Sequence, residues 1–137
     1  ISRADSLAVA MQLSNFLRDV GQDWQIGRVY LPQEDLHRFK VSEAALAEQR
    51  VDARFIDLIE YEMTRAEGYY RQAQPGVAML ASGQWGVMSG LEIYRGILQD
   101  IRRIGFDVFR HRADPSRLER IRLVGRAWRA VRRMNKA

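Results

Sequence analysis

The chain has 137 residues, which fits one domain with a core of ordinary size, and its lack of cysteine excludes disulfides and thiolate metal sites. No apolar run approaches the length needed to span a bilayer. Residues 1–94 carry nine basic and thirteen acidic side chains, whereas residues 95–137 carry thirteen basic and four acidic ones. This basic end is expected to be a solvated arginine-rich surface or to meet an anion, in the form of lipid, nucleic acid or a substrate phosphate.

Apolar residues recur at helical spacing from the start of the chain. The first predicted helix spans residues 3–23, and the stretch 24–32, with its glycine and proline, ends it. A short helical turn is predicted after Pro32, and another after Ser42, which is well placed as an N-cap.

Two longer helices are predicted next. Asp52 can cap a helix that runs to about Gln74, where the pair Pro75-Gly76 is expected to stop it. Another helix is predicted over residues 85–104, and Gly105 ends it.

A last, basic helix is predicted from Pro115 to about Met134, with Asp114 as its N-cap and the proline at the first helical position. No strand pair is evident. The sequence therefore predicts an all-α fold, with four substantial helices and two short ones in a single domain over residues 1–137.

Four polar residues share one narrow stripe of the first helix: Gln12, Asn15, Asp19 and Asp23. The apolar residues Leu13, Phe16 and Val20 lie beside this stripe and not opposite it. A stripe that faced solvent would lie opposite the apolar face. The carboxylates are therefore expected to face a cavity.

Two carboxylates one turn apart, with the amide of Asn15 a turn earlier, suit a hard cation that prefers oxygen ligands. Magnesium takes one or two carboxylates together with waters and substrate phosphates. The spacing of Asp19 and Asp23 alone, however, is also common in solvated amphipathic helices and by itself favours that ordinary interpretation.

The continuation of the sequence favours the metal site. In register with the stripe stand the pair Arg18-Asp19 and the run Arg28-Val29-Tyr30-Leu31-Pro32. Together they resemble the second aspartate-rich signature of the phytoene/squalene synthase family. One departure is Ala8, where the family usually has glycine.

The resemblance extends along essentially the whole chain. The segments 66–77, 84–87, 94–98 and 106–113 look like the phytoene-synthase version of the family. By this resemblance the chain corresponds to roughly the C-terminal half of a family member. The family's first aspartate-rich motif has no counterpart here, so this half alone is expected to be inactive.

The resemblance implies a helical bundle of the class I isoprenoid (terpenoid) synthase type. It implies a prenyltransferase that joins two geranylgeranyl diphosphates head to head to phytoene through a cyclopropyl diphosphate. Mg²⁺, with Mn²⁺ as the alternative metal, would assist ionisation of the diphosphate.

The resemblance also implies site residues. The catalytic residues would be Asp19, Asp23 and Tyr94, and the metal ligands would be Asp19, Asp23 and Asn15. The substrate would be bound by Gln12, Asn15, Arg28 and Arg112. Tyr94 also falls on the apolar stripe of its helix, so a core position is the alternative for it, and Arg112 is one arginine among many.

Two other functions stay open. One is the same chemistry on C15 substrates, giving squalene, dehydrosqualene or presqualene diphosphate. The other is a non-catalytic helical assembly protein of the same fold.

The expected partners are prenyl diphosphates and an anionic membrane surface, and the expected location is cytoplasmic, peripheral at the membrane. In the last helix the apolar residues recur at helical spacing, which favours core or membrane contact over base stacking, so nucleic acid is not expected as a partner.

Overall fold

The computed structural model describes all 137 residues and contains helices but no strand, which confirms the all-α fold class. The four long helices are α1 (Arg3–Arg18), α5 (Ala53–Val77), α6 (Gln84–Arg103) and α7 (Arg117–Met134). The three short helices are α2 (Val20–Gln25), α3 (Gln33–Arg38) and α4 (Glu43–Ala47). None of the helices combines the length and apolarity that crossing a membrane requires.

Side-chain caps begin several helices where the sequence predicts them. The Ser42 hydroxyl accepts a hydrogen bond from the amide of Ala45 at 3.1 Å, and the Asp52 carboxylate accepts one from the amide of Phe55 at 3.0 Å. Each cap satisfies one of the amides that the first helical turn leaves without a partner. Both predicted N-caps are confirmed.

The predicted start of α7 is wrong by two residues. The helix begins at Arg117, and the hydroxyl of Ser116 accepts the capping hydrogen bond from the amide of Glu119 at 3.2 Å. Asp114 does not cap the helix, because its carboxylate is paired with Arg18 and Arg112 instead.

The predicted end of α5 is also wrong, because the helix continues through Pro75 to Val77. A proline has no N–H and leaves the carbonyl four residues earlier, here that of Arg71, without a helical partner. Arg71 is exposed, so water can take the place of the missing donor. The cost of proline is therefore small in this last turn.

The predicted helix over residues 3–23 divides at Asp19, whose φ of −101° and ψ of 10° are not helical. The amide of Asp19 still donates to the carbonyl of Asn15 at 2.9 Å, and the amide of Asp23 donates to the carbonyl of Asp19 at 2.8 Å. Because these bonds keep the helical i to i−4 pattern across Asp19, α2 follows α1 directly through a bend.

The core lies where α1 and α6 pack against α5 and against each other. Leu17, Tyr70 and Leu91, one from each of these helices, are fully buried. Helix α7 packs mainly on α6 and buries Leu123 and Ala127. Ala127 belongs to the core, so α7 joins it at its edge, and Val20, directly after the bend at Asp19, is also part of this core.

Candidate functional site

The bend between α1 and α2 places Asp19 beside its neighbour Arg18. The Arg18 guanidinium donates from Nε to Oδ1 at 2.8 Å and from Nη2 to Oδ2 at 2.9 Å, which is a two-point contact with one carboxylate. This hydrogen-bonded pair raises the pKa of Arg18, against the opposing effect of its burial. Asp19 is therefore held in a fixed orientation.

A second acid and a second arginine complete this cluster. Arg18 Nη1 lies 3.2 Å from Oδ1 of Asp114, and Arg112 forms an ion pair with the same carboxylate. Arg112 Nη1 also lies 3.7 Å from Oδ1 of Asp19 and donates to Oε1 of Gln22 at 3.2 Å. The cluster joins the segment before α7 to the bend, so residues distant in sequence meet at Asp19.

Charge compensation dominates at Asp114. Burial alone would raise its pKa, but the hydrogen bond and charge of Arg112, together with the charge of Arg18, outweigh burial and hold the pKa of this carboxyl below its usual range. Asp114 therefore stays ionised and anchors both guanidinium groups.

Asp23 lies one turn beyond Asp19, at the edge of a narrow cleft. Apolar side chains form most of the lining, which consists of Phe16, Val20, Trp24, Val29, Tyr30, Leu31 and Leu46 with the charged Asp23 and Arg28. Burial raises the pKa of Asp23, and the negative charge of Asp19 raises it further, while Arg28 opposes the shift. A nearby cation would relieve this unfavourable charge.

Arg28 and Tyr30 close the cleft after α2. Arg28 Nη1 donates to the Tyr30 hydroxyl at 3.0 Å. The Tyr30 ring stacks on Phe16 with ring centroids 4.7 Å apart and an interplanar angle of 5°. This stacking holds the loop after α2 against the end of α1.

Asn15 is the third polar residue at the bend. Its Oδ1 atom is buried and has no hydrogen-bond partner. A buried amide oxygen without a donor is unfavourable and is suited to accept a proton donor or a cation. Its position one turn before Asp19 places it on the same side as the carboxylates.

Two of the predicted site residues are not tied to this group by any contact. Gln12 is exposed on α1, and its side chain makes no hydrogen bond. Tyr94 is partly buried, packs against the hydrophobic core and likewise makes no hydrogen bond. The structure thus gathers Asp19, Asp23 and Arg112 with Arg28, and leaves Gln12 and Tyr94 outside these contacts.

The donor set at the bend consists of oxygen atoms from Asn15, Asp19 and Asp23. Such hard donors match Mg²⁺ better than soft metals. No group of three or more His, Cys, Asp or Glu side chains is placed to hold a metal ion. The bend therefore offers part of a ligand set, to which substrate oxygens or further ligands would be added.

Sequence reasoning missed the roles of two residues in this cluster, Arg18, which orients Asp19, and Asp114, which pairs with Arg18 and Arg112. Arg18 stands in the aspartate-rich signature, but its role as a two-point partner of the next residue needed the backbone bend. Asp114 was predicted as a helix cap, since Asp before Pro is a common helix start. Nothing in the sequence near position 114 signals its contact with Arg18, 96 positions away.

Comparison with known proteins decides the family. The model of the squalene/phytoene synthase family matches residues 1–119. The chain belongs to the squalene/phytoene synthase family. Its predicted resemblance is thus confirmed.

Relatives within the family align with most of this chain. Phytoene synthase from Arthrospira platensis is 43% identical over 111 residues, which are 80% of this chain and 36% of that relative. The 15-cis-phytoene synthase from Synechococcus elongatus is 42% identical over 109 residues, or 79% of this chain and 35% of the relative.

A solved structure supports the same fold. The crystal structure of a dehydrosqualene synthase in complex with ligand superposes with a TM-score of 0.87 at 30% identity, covering 96% of this chain and 47% of that one. This likeness confirms the terpenoid synthase fold. The chain spans about a third of the length of the curated relatives it matches and about half of the solved one.

Proposed function

We propose that this protein is a transferase that joins two prenyl diphosphates head to head. The observation that carries the proposal is the pair Asp19 and Asp23, which stands in the family signature, with Asp19 at the bend and Asp23 at the edge of an apolar cleft. A carboxylate oriented by Arg18 and a second one whose charge is poorly compensated suit the binding of a diphosphate through a divalent cation.

We propose Asp19, Asp23 and Asn15 as the residues that would hold Mg²⁺, with Mn²⁺ as the alternative. Two observations support this assignment: Oδ1 of Asn15 has no hydrogen-bond partner, and the pKa of Asp23 is raised. A nearby cation would bind the amide oxygen and would stabilise the charged form of Asp23. When bound, the metal supplies Lewis-acid and electrostatic stabilisation for a departing diphosphate.

Arginines on two sides of the carboxylates would hold the diphosphate oxygens. Arg28 follows α2 and faces the cleft, and Arg112 lies 3.7 Å from Asp19. Guanidinium groups bind phosphates through two parallel hydrogen bonds. Arg112 would have to exchange its present partners, Asp114 and Gln22, for the substrate, whereas Arg28 would give up only its bond to Tyr30.

Gln12 and Tyr94 are proposed at the edge of the substrate site. Gln12 is exposed one turn before Asn15, so a diphosphate at the bend lies within reach of the same helix face. Tyr94 has a hydroxyl without a partner on a helix that packs against α1. We propose that this hydroxyl donates a hydrogen bond to the substrate.

For the substrate we propose the C20 diphosphate, geranylgeranyl diphosphate, with phytoene as product. Support comes from the relatives at 42–43% identity, both phytoene synthases. The C15 alternative is favoured by the solved neighbour, a dehydrosqualene synthase, at 30% identity. Supplying the C15 and the C20 diphosphate separately and identifying the hydrocarbon by mass spectrometry separates the two.

The experiment uses the protein produced from its complete native coding sequence. We expect turnover that requires Mg²⁺ and falls on the order of 100-fold or more in Asp19→Ala and in Asp23→Ala. Asp57→Ala is the matched control, because Asp57 is an exposed aspartate on α5 that forms no ion pair. Equal activity in all three variants would reject the proposal and favour the non-catalytic assembly protein.

A further inference from the structure

Asp114 contacts two arginines at the bend with one carboxylate. Its Oδ2 atom accepts a hydrogen bond from Nε of Arg112, and its Oδ1 atom accepts one from Nη1 of Arg18 at 3.2 Å. A phosphate group binds a pair of guanidinium groups in the same way, through several charge-assisted hydrogen bonds. The carboxylate thus occupies a donor of Arg112 that the proposed substrate would use.

The chain on either side of Asp114 fixes the position of this carboxylate. The neighbouring residues, Ala113 and Pro115, are both buried, and the amide of Asp114 donates to the carbonyl of Arg112 at 3.1 Å. The Pro115 ring packs close to Gly96 of α6, where its Cγ atom would lie 3.4 Å from an added Cβ atom. Asp114 therefore cannot withdraw from the bend unless a buried segment moves with it.

The two arginines differ in their freedom to leave Asp114. The Arg112 side chain is 49% exposed, whereas that of Arg18 is 15% exposed and also makes the two-point contact with Asp19. An exposed ion pair is worth little, so its members exchange partners at low cost. Arg112 is therefore the group that can leave Asp114, while Arg18 remains in place.

The other contacts of Arg112 lie on the side of the proposed metal ligands. Its Nη1 atom donates to Oε1 of Gln22 at 3.2 Å and lies 3.7 Å from Oδ1 of Asp19. Gln22 is in α2, directly before Asp23. The guanidinium group thus lies next to the carboxylates, but its Nε and Nη1 atoms already have partners within the protein.

We propose that Asp114 is a positioning residue that competes with the diphosphate for Arg112 and thereby lowers the affinity of the site for its substrate. This rests on the proposed function, in which Arg112 binds the diphosphate. Two effects act in the same direction. The ion pair with Arg112 has to break before the guanidinium group can bind phosphate, and the carboxylate then repels a diphosphate of the same sign.

A purely supporting role for Asp114 would have the opposite consequence. If the carboxylate only held Arg112 ready for the substrate, its removal would free the arginine and weaken diphosphate binding. The contacts favour competition. Asp114 accepts from Nε, and Nε forms, together with Nη2, one of the edges through which a guanidinium group makes two parallel bonds to phosphate.

The test measures the binding of inorganic diphosphate in the presence of Mg²⁺ by isothermal titration calorimetry, on the protein produced from its complete native coding sequence. Asp114→Asn removes the charge and keeps the shape. We expect this variant to bind diphosphate on the order of fivefold more tightly than the parent. In turnover of the prenyl diphosphate, KM should fall by a similar factor, and kcat should change by less than about twofold.

A double-mutant cycle shows whether Asp114 acts through Arg112. Arg112→Gln alone should weaken diphosphate binding, because it removes a phosphate-binding group. In this background Asp114→Asn should tighten binding by about twofold or less, since only the repulsion between the carboxylate and the diphosphate is left to remove. A structural role for Asp114 would give the same effect in both backgrounds.

Asp107→Asn is the matched control. Asp107 lies in the same segment before α7 and pairs with an arginine, Arg110, at 3.3 Å. Its side chain is 22% exposed, close to the 29% of Asp114. Because this pair makes no contact with Arg18, Asp19 or Arg112, the variant should bind diphosphate as the parent does.

Asp114→Ser removes the same charge with a smaller side chain and should also bind diphosphate more tightly than the parent. Circular dichroism checks that both Asp114 variants keep the helical content of the parent. If both lost it, Asp114 would be shown to serve the fold, and the proposal would be overturned.

Three further results would overturn the proposal. The first is diphosphate binding that is unchanged or weaker in both folded Asp114 variants. The second is an undiminished effect of Asp114→Asn in the Arg112→Gln background. The third is a parent protein that binds no diphosphate. The proposed function fails by a different result, a parent that binds diphosphate but converts neither the C15 nor the C20 substrate, and the affinities can still be compared in that case.

Discussion

The hydroxyls of Ser14 and Tyr70 lie 2.7 Å apart in the fully buried contact between α1 and α5. Ser14 Oγ also donates to the carbonyl of Ala10 at 2.9 Å. Since the serine hydrogen is used in that bond, the tyrosine hydroxyl must donate to Ser14 Oγ. Burial raises the pKa of Tyr70, so this donor keeps its proton at any physiological pH.

This direction of donation predicts unequal costs for the two deletions. Tyr70→Phe removes the donor and leaves Ser14 bonded to Ala10, so the free energy of unfolding should fall by about 1 kcal/mol. Ser14→Ala leaves a buried tyrosine hydroxyl without an acceptor and should cost about 1–3 kcal/mol. Urea unfolding followed by circular dichroism measures both.

Thr64→Ala is the control, because Thr64 Oγ1 makes the same backbone bond, to Glu60 at 2.9 Å, but is exposed. Its effect should stay within about 0.5 kcal/mol. A larger cost for Tyr70→Phe than for Ser14→Ala would contradict the assigned donor.

Gly21, in α2, occupies a position with no room for a side chain. A Cβ atom there would lie 2.8 Å from the Cα atom of Phe109 and 2.9 Å from the carbonyl oxygen of Val108, and neither backbone atom can move easily. Gly21→Ala should therefore lower the free energy of unfolding by about 1–3 kcal/mol. Because Gly21 lies between Asp19 and Asp23, the same variant should also lower activity.

Gly68, within α5, has no neighbour within 4 Å of an added Cβ, so Gly68→Ala should raise the free energy of unfolding by about 0.5–1 kcal/mol. Opposite signs for the two glycine variants, measured by thermal unfolding, are the expected outcome. A destabilising effect of equal size in both would show that the contact of α2 with residues 108–109 is not tight.

Local signals were enough to predict most of the fold. Ser42 and Asp52 are strong N-caps followed by apolar residues at helical spacing, and the helix boundaries near them were correct. The local patterns at Pro75 and Asp114 led to wrong predictions. At Pro75 the helix continues, because water can bond to the carbonyl that the proline leaves without a donor. At Asp114 the carboxylate does not cap the helix, because it pairs with two arginines, Arg18 and Arg112.

Local patterns predict only part of the candidate site. Asp19 and Asp23 are close in sequence and share a helix face, so their proximity could be derived from spacing. The approach of Arg112 to Asp19 depends on how the segment before α7 returns to the bend, which no local pattern encodes. The family resemblance predicts Arg112 as a site residue. Its ion pairs with Asp19 and Asp114 show how its side chain is placed there.

Arg18 should matter for stability because it joins Asp19 to Asp114 across the fold. Its side chain is only 15% exposed, so Arg18→Met leaves two partly buried carboxylates with Arg112 as their remaining partner. We expect the free energy of unfolding to fall by about 1.5–3 kcal/mol.

The matched control for Arg18 is Arg102→Met, which breaks the ion pair with Glu60, where both side chains are more than a third exposed. Its cost should be about 0.2–1 kcal/mol. Denaturant titration of both variants checks the difference, and equal costs would contradict a special role for the cluster at the bend.

The titration of Glu62 is expected to make the free energy of unfolding depend on pH. It is fully buried on α5, and its nearest cation, Arg65, lies 3.6 Å away, beyond hydrogen-bond distance. Burial, followed by the neighbouring carboxyl group of Asp35 and its charge, raises the pKa of Glu62 from the ordinary 4.5 to about 7. The folded state therefore binds this proton more tightly than the unfolded chain does.

The sign follows from proton binding. Between pH 4.5 and 7 the folded state holds more protons, so the free energy of unfolding falls as pH rises and levels off above about pH 7. The fall attributable to Glu62 is at most about 3 kcal/mol. Glu62→Gln keeps the shape without the titration, so its stability should change much less over this range.

Denaturant unfolding at several pH values measures how steeply the free energy of unfolding changes with pH. Asp57→Asn, which removes an exposed carboxylate of α5, is the control and is expected to keep the parent slope. A parent whose stability rises from pH 5 to 7, with Glu62→Gln showing the same rise, would contradict the raised pKa.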